Sequence, residues 1–254
     1  MASIHIKTIE FLKQQLPICV DILSTYDSGT YCSVIVDGQN IAILNCYREW
    51  LVYGSNTDWL CSTVQSLSQK DSYRFLIYAP TADVLELLKH YHQSIEHFMI
   101  RKATPQNMLF EGRSAYIEDL DNLVDMQSKY VYEEIDWPDY RHVDLRTVYM
   151  QRIQEGLVFV DPQGFSKIEI TAKYGDFVKL GRVYTVPQRR GMGHAKKLLN
   201  YVNNWCENQG YIPCLNVSYN NAIAIHLYKN CSYVNMGRVA YLKRMSGIEY
   251  EKSN

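Results

Sequence analysis

Between Val183 and Ala195 the chain reads Val-Tyr-Thr-Val-Pro-Gln-Arg-Arg-Gly-Met-Gly-His-Ala, and this segment constrains the fold more than any other. A tyrosine-containing, β-branched run ends at Pro187, which has no N–H to give to a ladder. Gly191 and Gly193 follow. Then Ala195, Leu198, Leu199, Val202 and Cys206 recur at i, i+3, i+4, i+7 and i+11, with Gly210 as a stop. A strand therefore hands over to an amphipathic helix through a glycine-containing turn. Such a turn presents the helix's unpaired N–H groups and the positive end of its dipole, and glycine keeps Cβ atoms out of the approach. Arg182, Arg189, Arg190, His194, Lys196 and Lys197 add positive charge. The arrangement suits a pyrophosphate. It is not a Walker A loop, since no Gly-Lys-Ser/Thr follows. It is not the dinucleotide fingerprint either, since Lys196 stands where the third glycine belongs.

Periodicity sketches the rest. Ile6 to Leu16 predicts a helix stopped at Pro17. Tyr31 to Cys46 predicts a hairpin around Asp37-Gly38, with a third strand at Leu51 to Gly54. A helix over Thr57 to Leu67, a strand over Tyr73 to Tyr78 and a Thr81-capped helix through Tyr91 follow. The polar stretch 101–112 reads as a boundary between residues 1–104 and residues 113–254. Beyond it come a strand (114–117), a helix (120–132), an acidic loop (Glu133, Glu134, Asp136, Asp139) and a helix (143–154). Strands at 157–160, 168–172 and 178–186 precede the glycine turn. A strand (214–218), a helix (222–230) and a final hairpin through Val239–Leu242 close the chain. The fold class is α+β, with one domain in 113–254 and an N-terminal α/β domain in 1–104.

Lysine and arginine number 26 against 27 acids, a net charge of −1, which excludes a general nucleic-acid or membrane-surface binder. Seven scattered cysteines without a CxxC fit reduced thiols rather than a disulfide framework or zinc site. His90, His92, Glu96 and His97 lack the spacing of a metal site and read as exposed helix histidines. No metal is expected. The charged N-terminal segment and the lack of a long apolar run set the expected location as cytoplasmic, with no membrane partner.

Gln188-x-x-Gly191-x-Gly193 resembles the acyl-CoA motif of the GNAT superfamily of N-acetyltransferases, and GRVYTVPQRRGMGHA is similar to its glycine N-acyltransferase-like subgroup. Asn220-Asn221-Ala-Ile-Ala-Ile-His-Leu-Tyr228-Lys-Asn-Cys-Ser232-Tyr233 resembles the family's second signature. The element order from Arg113 to Arg244 is similar too, which implies a mixed, mostly antiparallel sheet flanked by helices. The order in 1–104 is compatible with a degenerate copy of that fold; lacking the glutamine–glycine signature, it is not expected to bind CoA that way. It is read as a cover for the acceptor cleft or a homodimer interface.

The resemblance implies acetyl-CoA, or another short acyl-CoA, as co-substrate and a small-molecule or amino-acid amine as acceptor. It implies that Val183, Tyr184 and Thr185 lie along the pantetheine arm. Gln188, Arg189, Arg190, Gly191, Met192, Gly193, His194 and Ala195 would hold the pyrophosphate, and Asn220 or Asn221 would hydrogen-bond the pantetheine. Tyr228 would be the general acid for the leaving thiolate. A backbone N–H of the 178–186 strand would meet the oxyanion.

Two departures stand out. Ser232 replaces the usual glycine. The strand before Pro187 carries Lys179 and Arg182 where many members of that family place a glutamate as general base. Water relayed through Asn216, Ser218 or Tyr184, or one of Glu133, Glu134 and Asp136, remains for that role. The alternative from another class is a non-catalytic acyl-CoA-binding regulatory module.

Overall fold

The computed structural model describes residues 2–45, 49–68, 74–102, 111–135 and 143–243. Asp136, Asp139 and Cys46 lie outside them, as does the side chain of Glu134. The chain packs as two compact units. The first comprises 1–100, 216–225 and 235–254, and the second 101–215 and 226–234. The C-terminal segments thus return to the first unit.

In the first unit, α1 (Ala2–Lys13) and α2 (Val20–Asp27) precede the hairpin of β1 (Tyr31–Asp37) and β2 (Asn40–Asn45). Gly38 has φ 58° in its turn, Asp37 faces Asn40, and the Asn40 amide donates to the Asp37 carbonyl at 2.9 Å. Strands β3 (Glu49–Tyr53) and β4 (Arg74–Tyr78) run parallel, joined through α3 (Thr57–Ser68). After α4 (Ala82–Leu87) comes β5 (His92–Arg101), and β11 (Tyr233–Lys243) pairs antiparallel with β4. Trp50, Val52, Leu60, Val64, Phe75, Ile77 and Leu242 form the core between sheet and helices.

Two expectations change here. The segment after Thr81 is helical only to Leu87, and after a four-residue turn His92–Arg101 is a strand, so His92 and His97 are strand rather than helix residues. Tyr233–Lys243, where a hairpin through Val239–Leu242 is expected, is one long strand. The helix α2 was not anticipated.

In the second unit, β6 (Arg113–Ser114) leads through a 3₁₀ turn to α5 (Leu120–Tyr130), which ends in a π turn at Val131–Ile135. Then come α6 (Leu145–Gln154), β7 (Val158–Val160), β8 (Ser166–Tyr174), β9 (Phe177–Thr185), α7 (His194–Asn208) and β10 (Ile212–Ser218). The helix α8 (Ala222–Asn230) precedes β11. The strand order is β10-β9-β8-β7-β6, antiparallel except for the β9–β10 pair. This is the mixed, mostly antiparallel sheet flanked by helices expected for the region.

Helices α5 and α6 bury Leu120, Leu123, Met126 and Tyr149 on Val158, Val160 and Tyr184. The predicted face of α7 is buried: Leu198, Leu199, Val202 and Cys206 are all 0% exposed. Trp205 and Tyr201 of that helix pack on Phe159, with ring centroids 5.1 and 6.4 Å away.

Candidate functional site

The strand–turn–helix segment carries the site. The β9–β10 ladder runs only from Phe177/Ile212 to Leu180/Leu215. Beyond it β9 continues to Thr185, paired with β8 on its other side. A 3₁₀ turn at Pro187–Arg189 follows, and Gly191 and Gly193 both have left-handed backbones, φ 77° and 85°. A Cβ at either would meet nothing within 4 Å, so the space above the turn is open. The first backbone bond into α7 is from the Lys197 N–H to the Gly193 carbonyl. The N–H groups of Gly191, Met192, Gly193, His194, Ala195 and Lys196 find no acceptor among the described residues. Six N–H donors at a helix N-terminus are what a phosphate group requires.

The side chains around this turn hold it in shape. His194 pairs through Nδ1 with Asp161 Oδ2 at 2.8 Å. Asp161 is buried, and its other oxygen accepts the Phe165 and Ser166 N–H groups at 2.6 and 2.7 Å. The His194 ring thus anchors the start of α7 and leaves its backbone N–H to the cradle. The Arg189 guanidinium lies 4.4 Å over the Phe165 ring. Gln188 and Met192 are exposed.

Arg190 donates from Nε to the Thr185 carbonyl at 3.0 Å and from Nη2 to Glu133 Oε2. Glu133, in the π turn, also accepts the Tyr184 hydroxyl at 2.8 Å. The structure thereby brings together three residues named from the sequence. Arg190 and Tyr184 hold the Glu133 carboxyl below its ordinary range, with the arginine bond the larger cause. Burial, then Glu133, pushes the Tyr184 hydroxyl up to about 12.

Tyr228 is buried on α8, its ring 5.8 Å from that of Tyr233, whose hydroxyl donates to Asn203 Oδ1 on α7 at 2.7 Å. The Tyr228–Tyr233 end of the second signature is thus tied to the helix that carries the cradle. Ser232, at the family's glycine position, has φ 67°, so the left-handed turn persists without glycine. In the first unit, Asn221 Oδ1 accepts the Ala224 N–H at 3.0 Å and caps α8. Asn220 lines a cavity of about 550 Å³ with His92, Tyr219 and Arg238. Both side-chain amide atoms of Asn216 are buried without a hydrogen-bond partner among the described residues.

One cluster went unread in the sequence. Glu169 and Lys167, both 0% exposed, sit two residues apart on β8. Lys167 Nζ donates to Glu169 Oε1 at 2.5 Å, to Gln127 Oε1 at 2.8 Å and to the Tyr149 hydroxyl at 2.9 Å. The Tyr149 hydroxyl also donates to Glu169. Arg152 Nε and Arg182 Nη1 each lie 2.9 Å from Glu169 Oε2. Burial raises the Glu169 carboxyl, but the charges of Lys167, Arg182 and Arg152 outweigh it and hold the group below its ordinary range. Burial brings Lys167 down to about 8 against the pull of Glu169. Lys-Ile-Glu-Ile alternation places the lysine and the acid on one strand face, the only local sign of the cluster.

No group of three or more metal-ligating side chains occurs among the described residues, and no described helix is long and apolar enough to cross a membrane.

Residues 119–233 match the family model described as the acetyltransferase (GNAT) family, a stretch of less than half the chain. No curated protein matches it. Among solved structures it is similar to an acetyltransferase from the GNAT family of Colwellia psychrerythraea, at 16% identity and TM-score 0.56 over 83% of this chain and 84% of that one. A putative GNAT-family acetyltransferase from Novosphingobium aromaticivorans gives 15%, 0.58, 86% and 93%. A GCN5-related N-acetyltransferase from Sphaerobacter thermophilus gives 16%, 0.58, 90% and 86%. At such identities the likeness speaks for the fold. Residues 119–233 thus match the GNAT acetyltransferase model, and the chain's fold is similar to those structures over most of its length.

Proposed function

We propose that the protein is an acyl-CoA-dependent N-acyltransferase that moves an acetyl or other short acyl group to a primary amine of a small molecule or amino acid. The observation that carries this reading is the cradle: six backbone N–H groups without an acceptor among the described residues at the start of α7, beside two left-handed glycines facing open space. The pyrophosphate of CoA lies on Gln188 to Ala195, with donation from backbone rather than from the paired His194 ring. The pantetheine arm lies along Val183, Tyr184 and Thr185, where β9 has outrun its ladder to β10. Asn220 or Asn221 is assigned to the same arm.

The neutral amine attacks the thioester carbonyl carbon directly. A C–N bond forms, the C–S bond breaks, and the departing thiolate takes its proton from the Tyr228 hydroxyl. The amine's proton leaves through water, and Tyr228 is reprotonated from solvent. Glu133 and Glu169 are both ion-paired, so neither is a free base at neutral pH.

That pairing also favours a second reading, a chain that binds acyl-CoA without transferring the group. Thiol release from acetyl-CoA across a panel of amines and amino acids separates the two. Release abolished in Tyr228→Phe supports the transferase. Binding of CoA with no release on any amine supports the regulator, and no binding of CoA removes both. The first 104 residues we assign to covering the acceptor or to a homodimer contact, tested by the oligomeric state of the full chain in solution.

A further inference from the structure

Arg182 has φ 49°, a left-handed backbone at a non-glycine residue. It stands in a bulge. Glu169 faces Gly181 and Lys167 faces Tyr184, so Arg182 and Val183 together oppose the single residue Ile168. A left-handed residue in the first position of such a bulge is ordinarily glycine, because a Cβ there strains the backbone. Strain of this kind persists only where the surroundings impose it, and it concentrates at working sites.

The surroundings impose it through the side chain. Arg182 Nη1 donates at 2.9 Å to Glu169, a fully buried carboxylate. That carboxylate is itself fixed by Lys167, Tyr149 and Arg152. The tyrosine and Arg152 come from α6. Gln127 Oε1 of α5 accepts from Lys167 and lies 2.9 Å from the Tyr149 hydroxyl oxygen, and Arg152 also donates to the Ile170 carbonyl at 2.6 Å. One strand and two helices thus converge on the single group that grips Arg182. A glycine at 182 would relax the backbone but give these elements nothing to hold.

We propose that Arg182 is a positioning residue, whose tie to Glu169 holds the left-handed bulge that aims the Val183 backbone N–H at the thioester oxygen. The inference rests on the acyl-CoA reading above. As the amine nitrogen bonds to the carbonyl carbon, the carbonyl electron pair moves onto oxygen, where the N–H meets it. The pair returns as the C–S bond breaks, and the thiolate is protonated as before. An N–H already in place needs no reorganisation when that charge appears.

The test uses the full chain with Arg182→Gly, Arg182→Ala and Glu169→Gln. It reads kcat and KM for thiol release, the Kd of CoA by calorimetry, and amide hydrogen exchange at Val183. Arg182→Ala keeps the strain and loses the tie: kcat falls about 100-fold, as on loss of an oxyanion donor. The Kd of CoA is unchanged and Val183 exchange is faster. Arg182→Gly tolerates the left-handed backbone and loses less than a tenth as much as alanine does. Glu169→Gln lowers kcat in the wild-type background and adds nothing to Arg182→Gly, because the tie is already gone.

Equal kcat in the glycine and alanine variants would overturn the proposal, since it would make the side-chain charge and not the bulge responsible. Val183 exchange in Arg182→Ala equal to wild type would overturn the clamp itself. This last readout needs no activity, so it fails or succeeds independently of the acyltransferase reading. A wild-type chain that binds no CoA overturns that reading and the aiming role with it.

Discussion

Gly191 and Gly210 flank the same helix and share one backbone conformation. Each has φ 77°, and at each an added Cβ would meet nothing within 4 Å. They differ in one respect: Gly191 opens the cradle, whereas Gly210 merely ends α7. Alanine in a left-handed conformation costs about 1–2 kcal/mol. In a chain of this size that lowers Tm by about 2–8 °C. Gly191→Ala and Gly210→Ala should therefore destabilise alike. Ligand affinity should separate them. At Gly191 the new Cβ stands where the phosphate approaches and removes one hydrogen bond to a charged group. Such a bond is worth about 1.5–3 kcal/mol, or roughly 10- to 150-fold in Kd. Gly210→Ala should leave the Kd of CoA unchanged. Thermal melts and calorimetric titration with CoA read both quantities on the same samples. If Gly191→Ala weakens CoA no more than Gly210→Ala does, the cradle is not the phosphate site and the reasoning fails.

Tyr228→Phe removes the proposed acid while keeping the ring on Tyr233. Single-turnover thiol release should slow about 10²–10⁴-fold with the Kd of CoA unchanged; a normal rate would exclude the role. The Glu169 carboxyl is held below its ordinary value of 4.5, so its contribution to stability is present above that value and is lost as pH falls through the lower folded-state value. Tm measured from about pH 6 to about pH 3 should decline, and Glu169→Gln should flatten the slope. Leu199 of α7 is 0% exposed, and Leu199→Ala should cost about 2–5 kcal/mol in a denaturant melt.

The legibility of the sequence was uneven for physical reasons. The helix α7 was readable because its four inward positions follow one stripe and its limits carry glycines. The hairpin at Gly38 was readable for the same kind of reason: local turn chemistry and tertiary structure agree. The strand β5 was not. Its sequence, His-Gln-Ser-Ile-Glu-His-Phe-Met-Ile-Arg, is apolar only toward its end, and Leu88 and Tyr91 before it prolong a helical pattern that α4 does not follow. Burial of those two residues comes from the core they join rather than from helix periodicity.

At the site, the cradle was legible because glycines advertise positive φ. The bulge was not, because its left-handed residue is an arginine. The Lys167–Glu169 cluster depends on Tyr149, Gln127, Arg152 and Arg182 arriving from three other elements, and no spacing in one segment encodes that. That β9 carries no carboxylate to serve as a general base was legible from the sequence alone. Among the described residues, Glu133 and Glu169 are engaged by arginines.

The central claim is that 183–195 binds an acyl-CoA through its pyrophosphate. The most direct measurement is calorimetric titration of the full chain with CoA and, separately, with pantetheine, which has the same arm and thiol but no pyrophosphate. The account predicts saturable binding of CoA at one site per chain, weakened by salt, and far weaker binding of pantetheine. Equal affinity for the two, or no binding of either, would contradict it.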